Sequence, residues 1–406
     1  MKKVIVLVSF FVISTVFYFS SQAIAQQDKV VSSGVAMVPI RSQWPIVREA
    51  SGQWVVLGEV ALYNVGIETA KIDAVTLSVY NAKGDVLAER IYANEEFRDM
   101  LPIIAMNRDG SYTQRPAGTR MLDSGGAGLG YLATRVDSPL TPAGARVTVR
   151  VHHRDPVIAD IPIYVFDPGQ QTVWPLRYSR ENWVALRTTG STGSESQWQV
   201  FFNPAPGVAF FPERFAIDTI QVDSQGKSSN PADSWNKEDY YAWGEDVLSA
   251  GAGMVVDVVS HFPDLAIGDS DQSNPAGNYV VIQHAQNLFS IYGHMMNNSP
   301  AVSVGDLVAA GQVIGRVGNS GNTSEPHLHF QYMDSWQGSN FFARYSRCQG
   351  LPALFWNATV NRLSIVELHR LAGRLPATWD PQVNRNGGTY MLNGSTVFNL
   401  DIVTAP

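Results

Sequence analysis

Pro326-His327-Leu328-His329-Phe330 is the stretch on which the reading of the fold turns. Two histidines two apart in an apolar run project from one face of a β-strand, while Leu328 and Phe330 project from the other. Side by side, two imidazoles make half of a metal site. An isolated His-x-His is as a rule one exposed ring and one ring bonded to backbone, so the weight rests on what precedes it.

Upstream stand Asn278-Tyr279-Val280-Val281-Ile282-Gln283-His284, then Tyr292-Gly293-His294, a glycine-punctuated run from Val304 to Gly315, and Gly318-Asn319-Ser320-Gly321-Asn322-Thr323. In this order and spacing the blocks resemble the M23 (lysostaphin-like, LytM-like) zinc metallopeptidase family over roughly residues 214–332. The resemblance implies an antiparallel β-sheet domain, the duplicated hybrid motif, with a groove holding one Zn2+. In that family the ion is held by a His, an Asp and the second His of His-x-His, with a water in the fourth position. The water is acidified by the metal, two further imidazoles handle protons and the oxyanion, and peptide bonds of peptidoglycan are cut. Position by position this makes Asp218 and His329 metal ligands, and His294 and His327 catalytic groups.

One position departs from the pattern. Four residues before Asp218, where the family has its first histidine ligand, this chain has Arg214. A guanidinium keeps its proton and offers no lone pair to a metal. Glu213 is adjacent, but an odd offset puts it on the other face of a regular strand unless a bulge intervenes. His261 and His284 are further candidates, the latter expected to bond locally. In an alternative arrangement Arg214 pairs with Asp218 and replaces the cation electrostatically. Two functions therefore stay open: a zinc metallopeptidase, or a degenerate module that binds cell-wall peptide or regulates a cell-wall hydrolase.

The run from Val304 to Gln312 also resembles the turn of biotinyl and lipoyl carrier domains. Those domains modify a lysine on an exposed hairpin, and no lysine occurs from Asn278 to Gln331, which removes that class.

Outward from the motif, the rest of the second half offers β-type runs with almost no helical periodicity, among them one from Arg214 to Ile220. Trp235, Tyr240, Tyr241 and Trp243 fall in a loop that could wall the groove. Between about Ser42 and Val151 lie short β-rich runs such as Trp54 to Tyr63 and Ile72 to Tyr80, separated by turn signals at the spacing of an immunoglobulin-like β-sandwich. His152-His153 follows the last of these strands, and on a strand the two rings would diverge. This half carries no catalytic constellation and reads as a spacer or recognition module. The expected fold class is all-β: a signal segment (1–25), the sandwich (28–165), the M23-like domain (175–345) and an extension (346–406) with one helix from Ser364 to Ala372. A small-residue stretch from Thr188 to Ser196 separates the halves or lies in a long loop at the start of the second, with the boundary a little before it.

Met1-Lys2-Lys3, the apolar run from Val4 to Phe19 and Ala23-Ile24-Ala25 form the three parts of a secretory signal, so the body of the protein is expected in the periplasm or outside the cell, with no membrane span after cleavage. The single cysteine, Cys348, excludes a disulfide framework and lies far from any lipid-attachment position, and it reads as a core thiol. The 406 residues carry 29 basic against 36 acidic side chains with no long run of one sign, which argues against a nucleic-acid partner. The expected partners are peptidoglycan peptides or a cell-wall hydrolase.

Overall fold

The structure, a computed structural model, describes residues 31–32, 34–48, 52–93, 103–106, 112–114, 120–177, 182–186, 201–202, 209–362, 388–395 and 401–404. The signal segment, the Thr188 to Ser196 stretch and the helix expected from Ser364 to Ala372 lie outside these residues. What is described is nearly all β.

The first half contributes β1 (Val35–Pro39), β2 (Trp44–Arg48), β3 (Trp54–Asn64), β4 (Ala70–Tyr80), β5 (Val86–Ala93), β6 (Ala127–Val136), β7 (Gly144–Val151) and β8 (Val157–Val165). They hydrogen-bond in the order β5-β4-β7-β8-β2-β3-β6, continued by Ile103–Met106 and Tyr112–Gln114. The pairing of β8 with β2 is parallel, Ile163 opposite Trp44. Strand β1 pairs antiparallel with β3 beside this path, Val35 opposite Asn64. The β-rich reading holds; the immunoglobulin-like arrangement is not established by these pairings.

Strand β3 shows how the halves meet. Trp54, Val56, Val60 and Leu62 enter the core of the first half, which is the period-2 expectation for one face. Val55 and Leu57, on the opposite face, join Val47, Ala133 and Phe166 in a second buried cluster whose remaining members, Phe215 and Leu354, belong to the second half. The two halves share this cluster. Apolar residues on both faces of β3 made that contact available.

The second half comprises β9 (Asn182–Leu186), β10 (Ile217–Val222), β11 (Gly253–Val259), β12 (Asn278–Ala285), β13 (Leu288–Met295), β14 (Leu328–Met333), β15 (Phe355–Arg362), β16 (Gly388–Ser395) and β17 (Asp401–Thr404). Their order is β11-β12-β13-β14-β10-β9-β17-β15-β16, so strands from the C-terminal 60 residues extend this same sheet. On β14, Leu328, Phe330 and Tyr332 fill the core between the sheet and the rest of the half, while His329, Gln331 and Met333 point to the other side. Cys348 is fully buried beside Tyr345, as a core thiol.

Two local expectations fail for the same reason, an early departure from strand geometry. The strand read from Arg214 begins only at Ile217, because residues 212–215 form a turn with Arg214 N bonded to Phe211 O and Ala216 N to Glu213 O. His152 and His153 do not diverge: β7 ends at Val151, His153 takes a left-handed φ of 53°, and the ring centroids approach to 3.9 Å.

Gly58 of β3 lies under the Trp44 indole, and a Cβ there would sit 2.0 Å from a ring carbon. Gly58→Ala is expected to lower stability by roughly 1–3 kcal/mol, the usual cost of overpacking, measured as a reduced urea midpoint. An unchanged midpoint would show that the indole can move aside.

Candidate functional site

The strand order places the expected residues together. Strand β10 pairs with β14 so that Asp218 lies opposite His329, and β13 flanks β14 on its other side with Gly293 opposite His329. His294 follows Gly293 at an irregularity in β13 and holds a left-handed φ of 58°, a conformation few non-glycine residues adopt. His327 stands one residue before β14, which starts at Leu328 rather than at His327 as expected. The His294 ring centroid is 4.5 Å from that of His327 and 5.8 Å from that of His329.

Asp218 is the hub. Its Oδ1 lies 3.0 Å from His329 Nδ1 and 3.7 Å from His327 Nε2. The second nitrogen of His329 meets Gln331 Oε1 at 2.8 Å, and Gln331 Nε2 donates to the Pro212 carbonyl at 2.9 Å. That donor bond orients the amide, so its oxygen faces His329 and Nε2 of the ring must carry a proton. The Tyr345 hydroxyl is 2.7 Å from the same Gln331 oxygen and 2.8 Å from Glu213 Oε1. Burial pulls the His329 imidazole down, but the Asp218 hydrogen bond and charge, aided by Glu213 and Gln331, outweigh it and hold the ring up at about 9. An imidazolium that donates from both nitrogens suits this pair of oxygen partners.

The other two rings are anchored through backbone. His294 Nδ1 bonds Ser320 O at 2.9 Å, and His327 Nδ1 bonds Glu325 O at 2.8 Å with Thr323 Oγ1 at 3.2 Å. Burial first, then the neighbouring His327 and His329, hold His294 well below the usual imidazole range, so it is neutral near pH 7. All three histidines are nearly buried, with 6–8% of their surface exposed.

Arg214 is not where the strand reading put it. Carried in the turn before β10, its side chain has no exposed surface and its Nε donates to Glu59 Oε1 of β3 at 2.8 Å. The guanidinium stacks over Phe215, centroid 4.9 Å away. The counter-charge is thus Glu59 of the other half, while Asp218 pairs with histidines. Glu213, placed by the strand argument on a far face, approaches through the Tyr345 hydroxyl, because a turn does not alternate faces. His284 bonds Ala252 O and Ser290 Oγ, the local role expected, and exposed His261 packs on Phe262. Of the loop aromatics, Tyr240 is buried and bonds Ser234 O, whereas Trp235 is 81% exposed. Gln331 and Glu59 escaped the sequence reading. Glu59 did leave a signal, a lone carboxylate inside the apolar run Trp54 to Leu62.

These residues do not fit a resident zinc ion. Asp218 and His329 are two donors, the third position is a buried arginine already paired with a carboxylate, and among the described residues no three His, Cys, Asp or Glu side chains are arranged to hold a metal.

Residues 239–341 match Peptidase family M23. The chain thus carries an M23-type segment, which includes His294, His327 and His329, while Arg214 and Asp218 precede the matched span. Similar proteins are the peptidoglycan DD-endopeptidase ShyA of Vibrio cholerae, 36% identical over 88 residues (22% of this chain, 17% of that one), and the murein hydrolase activator EnvC of Escherichia coli, 35% identical over 98 residues (24% and 22%). The chain spans about a fifth of the length of the curated relatives it matches. Among solved structures, the catalytic domain of lysostaphin from Staphylococcus simulans is 24% identical, covering 33% of this chain and 73% of that one at a TM-score of 0.21.

Gln331→Leu strands the His329 Nε2 proton and the Pro212 carbonyl. The expected loss is ~1–3 kcal/mol for each buried group left unpaired, read from denaturant melts, together with displaced His329 imidazole resonances in NMR spectra. A melt and spectrum identical to those of the unaltered protein would refute the assigned network.

Proposed function

We propose that this protein is an exported M23-like module of the cell envelope that binds cell-wall peptide, or a hydrolase acting on it, without cutting peptide bonds itself. The observation that carries the reading is the buried Arg214 guanidinium, paired with Glu59, at the position the resemblance assigns to a metal ligand. The names of the relatives, one a peptidoglycan endopeptidase and one an activator of murein hydrolases, support a cell-wall setting and are compatible with either behaviour. The signal-like segment at residues 1–25 supports export to the periplasm or beyond, and among the described residues no helix is long and apolar enough to cross a membrane.

In this reading His294 and His327 serve as hydrogen-bonding groups. Each has Nδ1 committed to a backbone carbonyl, which leaves Nε2 for a ligand such as a peptide amide with its donor and acceptor; that of His327 lies 3.7 Å from Asp218 Oδ1. Burial keeps His294 neutral, which avoids placing a second positive charge, one without a carboxylate of its own, beside the His329–Asp218 pair.

The test combines metal content and turnover. The mature protein, equilibrated with zinc and dialysed, is expected to hold well under one equivalent by elemental analysis, to release no fragments from purified sacculi, and to co-sediment with sacculi or with a hydrolase. Co-sedimentation is expected to weaken several-fold in a His327→Ala variant. Stoichiometric zinc together with released peptide fragments would overturn the proposal and establish the peptidase.

A further inference from the structure

We infer that the Glu59–Arg214 pair is an inter-sheet lock through which the first half of the chain sets the geometry of the histidine site; this rests on the reading of that site as metal-free. Charges with 0% and 1% of their side chains exposed are tolerated only when paired, and this pair is made across the two halves. Arg41 of the first half adds to the junction, with Nε 3.5 Å from Glu59 Oε2 and Nη2 donating to Gly350 O at 2.6 Å.

Two routes lead from the lock to the site. Along the chain, Arg214 lies in the turn that delivers Asp218, and Phe215, the last residue of that turn, is sunk in the cluster shared with Val55 and Leu57. Across space, Pro212, two residues before Arg214, receives the Gln331 amide that orients His329. Displacing the turn therefore moves the hub carboxylate and the His329 partner together. In a metal-bound site the ion itself would fix those two side chains. Here the face of β3 performs that task, which makes the first half a working part of the site and not a spacer.

A double-substitution cycle in the full chain tests this. Glu59→Leu and Arg214→Met are each expected to lower the thermal midpoint by roughly 5 °C or more, since each strands a buried charge, and to shift the imidazole resonances of His327 and His329. The double variant removes both fully buried charges and leaves Arg41, which is 12% exposed and keeps its bond to Gly350 O, so it is expected to recover most of the midpoint and to move the resonances back. If a single variant does not fold, a folded double variant demonstrates the same coupling. Asp160→Asn, which breaks the exposed Arg146–Asp160 pair, is the control and is expected to move neither readout. Additive losses in the double variant, or single variants with unmoved imidazole resonances, would overturn the lock. Zinc content measured on the same samples is a separate readout: zinc in the native chain overturns the metal-free reading, whereas lost coupling in a zinc-free chain overturns the lock alone.

Discussion

A guanidinium with no contact to solvent needs a carboxylate, and Arg214 pairs with one supplied by a strand of the other sheet. Much of the arrangement follows from that requirement. Glu59 must face away from the core of its own half, so β3 buries both faces, Trp54, Val56 and Val60 inward and Val55, Leu57 and Glu59 outward. The turn at residues 212–215 is then held against β3 on one side and, through Gln331 and Gly350, against β14 and the chain beyond it on the other. Asp218 leaves this doubly anchored turn and meets His329 in register.

The electrostatics of the site are consistent with that anchoring. Asp218 is shared by His327 and by His329, its cationic partner, while His294 is kept neutral by burial. Positive charge is thus supplied twice by side chains, once at Arg214 and once at His329, and each charge has its own carboxylate. In a site built for zinc, the ion is the dominant local charge and its ligands surrender their protons to it. The two schemes are alternatives, because Arg214 keeps its proton in either.

The histidine constellation was legible in the sequence. His-x-His on an apolar strand has a fixed side-chain period, and the resemblance to the M23 family implied that His294 and Asp218 would join it. What failed was local: the strand assigned from Arg214 is a turn up to Phe215, since a turn with a proline at position 212 interrupts an otherwise apolar run. That single shift invalidated the face assignments of both Glu213 and Arg214. Gln331 was invisible for another reason. A glutamine on the far side of a strand has no pattern of its own, and its part depends on Pro212, more than a hundred residues earlier.

By itself the sequence determined the β-rich class, the M23-type segment and the identity of four side chains that come together, because these depend on short-range periodicity and on motif order. It also disclosed that Arg214 cannot be a ligand, since that is a property of the guanidinium wherever it sits. Which carboxylate neutralises it was decided only by the tertiary structure. Glu59 and Arg214 are 155 positions apart, and a pairing over that distance is set by which faces two sheets bury against each other, a choice that no local pattern encodes.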